Sequence, residues 1–178
     1  MAIIRQRRFI EPALDDQTSD IQQIYGIATD KHITTCPFDV KGYIESQGIK
    51  VISEDMGSEI SGYIEFRINH WVIAVNRYQN PRRQRFTLAH EYAHFLYDRE
   101  TIQRDGKIVD VLLFRSDESN EIEKRANQFA GELLMPTTDF LNAVENGMKD
   151  FQQLADKFNV SVAAIRYRAF KLKLINAY

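Results

Sequence analysis

The sequence of 178 residues has only one cysteine and four histidines, and its net charge at pH 7 is only −2. Without a second cysteine, Cys36 cannot form an internal disulfide, which is typical of proteins of the reducing cytoplasm. The near-neutral charge gives no bulk attraction to nucleic acid or to a membrane surface. No apolar run approaches the length of a membrane-spanning helix, and the first residues lack the apolar segment of a signal peptide. We therefore expect a cytoplasmic protein that does not enter a membrane.

Periodicity predicts helices in the N-terminal third and strands after it. Apolar residues at helical spacing predict a first helix capped by Thr18 or Ser19, and residues 37–47 form a second helix opened by Pro37. The segments predicted as strands are 50–53, 63–68 and 71–75, and a tight hairpin at Asn69-His70 joins the last two. We expect a solvated loop in the basic run at 80–85 and mostly loop over 99–118.

Residues 90–94 read His90-Glu91-Tyr92-Ala93-His94, which is the pattern H-E-x-x-H. On a helix, His90 and His94 lie on the same face about 40° apart, and Glu91 lies about 100° from His90. Two imidazoles that leave open positions suit Zn²⁺, and the adjacent carboxylate suits a general base. The alternative is a pair of core histidines that are hydrogen-bonded to their neighbours.

The surroundings of the pentapeptide favour the metal. If residues 86–98 form one helix, most of its circumference is apolar, so the helix belongs in the core. Its remaining arc is a single polar stripe that holds Thr87, His90, Glu91, His94 and Asp98. Because buried ionisable groups are costly without partners, this stripe requires a partner.

A second helix, predicted over residues 119–136, offers a third ligand. Ser119 or Asn120 caps it, and Pro136 ends it. A helical wheel turns Glu123 towards the apolar face and Glu121 towards the charged face. Asn127, one turn after Glu123, is a candidate to orient a metal ligand through a hydrogen bond. The alternative for Glu123 is a partly exposed carboxylate paired with Lys or Arg.

These two motifs together resemble the ImmA/IrrE family of zinc metallopeptidases. The first motif is Arg85-Phe-Thr-Leu-Ala-His-Glu-Tyr-Ala-His94, and the second is Glu123-x-x-Ala-Asn-x-Phe-Ala-x-x-Leu-Leu-Met-Pro136. The likeness extends from about residue 35 to the C-terminus. It implies that His90, His94 and Glu123 hold Zn²⁺ and that Glu91 is the general base.

The resemblance also implies a reaction and a substrate. The protein would be a zinc-dependent endopeptidase that cleaves a helix–turn–helix transcriptional repressor of the Xre type, in a phage, stress-response or toxin–antitoxin setting. Zinc hydrolases usually have a further group that stabilises the oxyanion. Tyr63, His70 and Tyr97 are candidates by residue type only.

The predicted fold class is α+β. We expect a zincin-like, gluzincin-type core with a small antiparallel sheet and the buried H-E-x-x-H helix, followed by a C-terminal segment that resembles a helix–turn–helix. The corresponding division places a metallopeptidase domain at residues 1–136 and the helical segment at 137–178.

The C-terminal segment and the zinc site both leave an alternative function open. Residues 154–165 resemble a helix–turn–helix in which Ser161 caps a helix that carries Arg166, Arg168, Lys171 and Lys173. This helix suits DNA recognition, but we favour a helix pair that packs on the peptidase. The runner-up function for the whole chain is a toxin or protein-interaction module whose zinc site is structural or dormant and is controlled by an antitoxin-like partner.

Overall fold

The computed structural model describes residues 16–111 and 121–177. In these ranges the helices are α1 (Asp16–Asp30), α2 (Val40–Ser46), α3 (Pro81–Tyr97), α4 (Arg99–Asp105), α5 (Glu121–Leu134), α6 (Thr137–Glu145), α7 (Phe151–Phe158) and α8 (Val162–Lys171). The strands are β1 (Lys50–Glu54), β2 (Ile60–Arg67), β3 (His70–Asn76) and β4 (Lys107–Val111). The predicted α+β class is therefore confirmed.

The chain forms two compact units. Of the described residues, one unit comprises 39–111 and 121–130, and the other combines 16–38 with 131–177. Among the described residues, no helix is both long and apolar enough to cross a membrane.

The four strands form one sheet in the order β1-β3-β2-β4. β3 pairs with β2 and β2 pairs with β4 in antiparallel fashion, but β1 and β3 are parallel. The expectation of an antiparallel sheet is therefore wrong, and the sheet is mixed. Strand periodicity shows which faces are buried but not which strands become neighbours, so the insertion of β3 between β1 and β2 was not visible in the sequence.

The hairpin between β2 and β3 turns one residue earlier than predicted. Arg67 pairs with His70, so the two turn residues are Ile68 and Asn69, and His70 belongs to β3. Both turn residues have positive φ, 34° and 67°, which is the conformation of a type I′ turn. Asparagine tolerates this conformation well and isoleucine poorly, so the sequence pointed to the wrong pair.

The predicted loop over 99–118 is wrong where the structure describes it. Residues 99–105 form α4 and residues 107–111 form β4, with Gly106 at φ 89° between them. The Gly106 carbonyl accepts a hydrogen bond from the Phe66 amide on β2. Both elements are short and rich in charge, so neither carries a strong periodic pattern.

The starts of the first two helices also differ from prediction. α1 already includes Asp16, so neither Thr18 nor Ser19 caps it. α2 begins after Asp39, whose side chain accepts a hydrogen bond from the Gly42 amide, rather than at Pro37. The predicted cap of α5 at Ser119 or Asn120 lies outside the described residues.

In the unit of residues 39–130, α3 packs against the sheet at Gly62. A Cβ atom built on Gly62 would lie 2.5 Å from Thr87 Cγ2 on α3 and 2.6 Å from the Ala74 carbonyl oxygen on β3. Glycine is therefore required for the helix to approach β2 this closely. The Trp71 ring on β3 contacts Phe95 on α3 edge-on, with ring centroids 5.1 Å apart.

In the other unit, a partly buried ion pair links α8 to the end of α5 and the start of α6. Arg168 pairs with Glu132, donates to the Met135 carbonyl at 3.1 Å and donates to Thr137 Oγ1 at 2.8 Å. The Arg168 side chain is only 11% exposed. Ser161 caps α8 as predicted, because its Oγ accepts from the Ala164 amide.

We expect Gly62→Ala to destabilise the protein by about 1–3 kcal/mol, because the backbone oxygen at 2.6 Å cannot move away as a side chain could. Chemical denaturation measures the free energy of unfolding. The matched control is Gly26→Ala on α1, where a Cβ atom would contact nothing within 4 Å. This substitution should stabilise the protein by about 0.5–1 kcal/mol. Equal effects of the two substitutions would contradict the close approach of α3.

Candidate metal centre

The helix α3 begins with two strong start signals. The Asn80 side chain accepts a hydrogen bond from the Arg82 amide at 2.9 Å, and Pro81 follows at the first helical position. The basic run at 81–85 therefore lies in the first turns of the helix, and its prediction as a loop is wrong. All residues from Thr87 to His94 are buried.

The polar stripe of α3 lies in the interior, as the helical wheel predicted. His90, Glu91 and His94 each have 0% relative exposure. On α5, the Glu123 side chain is 20% exposed, whereas that of Glu121 is 83% exposed and pairs with Lys124 at 2.9 Å. The predicted orientations of the two glutamates are thus confirmed.

The structure brings His90, His94 and Glu123 together, with one potential ligand atom from each within 4.8 Å of the others. Glu123 Oε2 lies 3.0 Å from His90 Nε2, and Glu123 Oε1 lies 3.4 Å from His94 Nε2. The two Nε2 atoms are 3.2 Å apart. Ligand atoms at about 2.0–2.1 Å from a tetrahedral Zn²⁺ are about 3.3 Å from one another. The distance between the two Nε2 atoms therefore matches that of two ligands of one tetrahedral zinc ion, and the Glu123 carboxylate lies beside both of them as a candidate third ligand.

The outer nitrogen of each imidazole is also held. His90 Nδ1 lies 3.1 Å from Asn127 Oδ1, so Asn127 makes the contact with a histidine that its position on the helix predicted. His94 Nδ1 lies 2.8 Å from Asp98 Oδ2, and Asp98 Oδ1 accepts from Arg125 Nη2 at 2.6 Å. Because both oxygens accept hydrogen bonds, the Nδ1 atom of each imidazole carries a proton, so in the neutral form of the ring the Nε2 lone pair is directed towards Glu123.

Three groups with lone pairs thus face one another in the interior, and this arrangement requires a positive charge. Burial alone lowers the pKa of His94, but hydrogen bonds to Asp98 and Glu123 and the charge of Glu91 outweigh it and raise this pKa to about 10. Burial raises the pKa of Glu123, but the hydrogen bonds from His90 and His94 hold it well below its usual range. The donor set therefore favours a bound cation, which is either a proton or a metal ion.

Glu91 lies beside these ligands, on the side of α3 that packs against the sheet. Its Oε1 is 3.6 Å from the position of a Cβ atom on Gly62. The carboxylate is fully buried, so the surrounding medium weakens its interactions less than water would. This position adjoins the histidines and leaves Glu91 outside the group of three ligand atoms.

The three residues suggested as oxyanion-stabilising groups lie in different parts of the structure. Tyr63 follows Gly62 on β2 and therefore points to the sheet face opposite α3, where its hydroxyl donates to Glu54 at 2.9 Å and accepts from Arg67 at 3.0 Å. His70 is exposed at the start of β3. Tyr97 is half-buried, and its ring stacks edge-on against Phe129. The structure thus separates Tyr63 from α3.

Asp98 belongs to the predicted polar stripe of α3, but its contact with His94 is a feature that was not predicted. The signal was present, because Asp98 follows His94 by four residues and so lies on the same helical face. On the helical wheel Arg125 falls on the charged face of α5, with Glu121, yet its long side chain reaches Asp98. A wheel shows the direction of the Cβ atom and not the reach of a guanidinium group.

Two relatives show how far this architecture is shared. Over 92 residues the chain is 34% identical to a propionyl-CoA carboxylase regulator of Cereibacter sphaeroides, a match that covers 51% of this chain and 19% of that protein. A solved structure of a Mycobacterium tuberculosis transcriptional regulator matches with a TM-score of 0.56 at 18% identity, covering 84% of this chain and 46% of the other. The chain therefore spans less than half the length of these relatives, and the second likeness shows the fold alone.

Most of the chain matches the model of one protein family. Residues 44–170 match Peptidase M78, described as the IrrE N-terminal-like domain, and they include the three candidate ligands and Glu91. Because the match covers well over half of the chain, the resemblance seen in the sequence is confirmed: this chain belongs to the Peptidase M78 family, as an IrrE N-terminal-like domain.

Proposed function

We propose that this protein is a zinc-dependent endopeptidase with a zincin-like core. The observation that supports it best is the convergence of His90 Nε2, His94 Nε2 and the Glu123 carboxylate, with Glu91 buried beside them. Three protein ligands are typical of catalytic zinc sites, which keep a position for water or substrate, whereas structural sites have four. Our proposed division of the chain keeps the metallopeptidase domain at 1–136 and the helical segment at 137–178.

Each residue has a distinct role in the proposed reaction. Zn²⁺ bound by His90, His94 and Glu123 would supply Lewis-acid polarisation of the scissile carbonyl and make a water molecule more acidic. The Glu91 carboxylate takes a proton from the attacking water and later delivers it to the nitrogen of the leaving amine. Asn127 and Asp98 hold the imidazoles in the required tautomer. The buried position of Glu91 strengthens its interaction with the developing charge.

We propose a helix–turn–helix repressor of the Xre type, or an antitoxin, as the substrate. Membership of the IrrE-like family supports this choice, and the names of the two relatives support a regulatory role. Direct DNA binding by this chain is less well supported. Arg168, one of the four basic residues that a DNA-recognition helix would use, is instead partly buried in its contacts with Glu132, Met135 and Thr137.

We expect Glu91→Gln to keep one zinc ion per chain and to lose cleavage by about 10²–10⁴-fold, because the amide cannot accept the proton of water. The experiment incubates the pure protein with the repressor encoded beside its gene and follows cleavage and zinc content. Glu121→Gln removes an exposed carboxylate of α5 and should leave both unchanged. Normal cleavage by Glu91→Gln would disprove the role of Glu91, and an intact repressor under all metal conditions would favour the toxin or interaction module.

We expect the apparent zinc affinity to fall by about tenfold for each pH unit between pH 8 and pH 6. The pKa of His94 in the metal-free protein is raised to about 10, so the proton is bound throughout this range and the metal must displace it. Competition with a chelator of known pH dependence measures the affinity. Calorimetry in buffers of different ionisation enthalpy should count about one released proton. An affinity that does not depend on pH would contradict this description of the site.

A further inference from the structure

We propose that Arg125 and Asp98 form a positioning pair that sets the metal affinity of His94. This inference rests on the proposed zinc site, but it concerns residues that do not touch the metal. Its basis is a continuous chain of contacts from α5 to α3: Arg125 Nη2 to Asp98 Oδ1 at 2.6 Å, and Asp98 Oδ2 to His94 Nδ1 at 2.8 Å. Exposure falls along it, from 39% for the Arg125 side chain to 10% for Asp98 and 1% for His94.

The Asp98 side chain is committed to this chain of contacts. Asp98 lies at the junction of α3 and α4, and its backbone already serves both helices: its amide donates to the His94 carbonyl, and its carbonyl accepts from the Ile102 amide. An aspartate at a helix start normally caps it with its side chain. Here the side chain makes no capping hydrogen bond to α4. Its two oxygens instead accept hydrogen bonds from His94 and Arg125.

Arg125 is held in place by more than its ion pair. The guanidinium lies over the Tyr97 ring at 4.9 Å from the centroid, and the same ring contacts Phe129 edge-on at 5.8 Å. This contact restricts the movement of the guanidinium, which in turn helps to hold the carboxylate of Asp98. A flexible surface cation would not restrict the carboxylate in this way.

The two histidines therefore have unequal partners. His90 donates to Asn127, a neutral amide, whereas His94 donates to a carboxylate that is itself fixed by a cation. A charged acceptor increases the electron density of the imidazole more than a neutral one does, so His94 is the stronger metal donor of the two. The affinity of the whole site then depends on Arg125, which lies two residues beyond the ligand Glu123.

The neighbouring residue provides a matched control. Lys124 is also a cation of α5 and also pairs with a carboxylate, Glu121, at 2.9 Å. That pair is exposed, with 46% and 83% of the two side chains accessible, and involves none of the site residues. Arg125→Met and Lys124→Met thus remove equal charge from adjacent positions, but only the first disturbs Asp98.

The experiment measures Zn²⁺ affinity of the full chain by chelator competition, together with the visible spectrum of the Co²⁺-substituted protein. We expect Asp98→Asn to weaken binding by about 10–100-fold. Arg125→Met should weaken it by a smaller factor, about 3–10-fold, and Arg125→Lys should recover part of that loss. Asp98→Asn and Arg125→Met should also shift the Co²⁺ bands, and Lys124→Met should match the wild type in both measurements.

Two results would overturn the proposal. If Arg125→Met binds Zn²⁺ as tightly as Lys124→Met and gives the same Co²⁺ spectrum, the pair has no positioning role. If the metal-free variants lose thermal stability but keep wild-type metal affinity, the pair is only structural. The wild-type protein separates these results from a failure of the proposed function. If it binds no Zn²⁺, the metal centre itself is rejected. If it binds Zn²⁺ but cleaves nothing, the peptidase activity is rejected and the positioning role of Arg125 and Asp98 is still tested by the affinities.

Discussion

The site depends on one electrostatic constraint: two imidazole nitrogens and a carboxylate face one another in the protein interior. Their separations of 3.0–3.4 Å bring lone pairs together beside two fully buried histidines, where water screens them only weakly. Such a group is stable only around a positive charge. The hydrogen bonds at the outer nitrogens strengthen the constraint, because Asn127 and Asp98 direct both Nε2 lone pairs to the same point.

Two helices supply all three of these groups. α3 supplies His90, Glu91 and His94, and α5 supplies Glu123. Asp98, directly after α3, and Asn127 on α5 contact the two histidines. Because Glu123 and Asn127 are one turn apart, a single face of α5 provides both a proposed metal ligand and a hydrogen-bond partner for His90. Correct docking of α5 on α3 therefore assembles the ligands and their supporting contacts in one step.

The sheet contributes by fixing the depth of α3. Gly62 lets the helix approach β2 so closely that Glu91 lies next to the strand, and the alternation of the strand turns Tyr63 to the opposite face. The same sheet carries the features that were least predictable. β4 and the parallel pairing of β1 with β3 are set by long-range contacts, for which the short strands carry no local pattern.

The sequence by itself determined the chemistry of the site. The spacing of His90, Glu91 and His94, the apolar character of the helix around them and the inward direction of Glu123 all follow from helical periodicity, which is a local property. Only the tertiary structure decided which partners these residues meet: Asp98 and Arg125 at His94, Gly62 at Glu91, and Glu132 at Arg168. The physical reason is that periodicity fixes the direction in which a side chain leaves its helix, whereas long side chains and strand neighbours find their partners only when distant segments pack together.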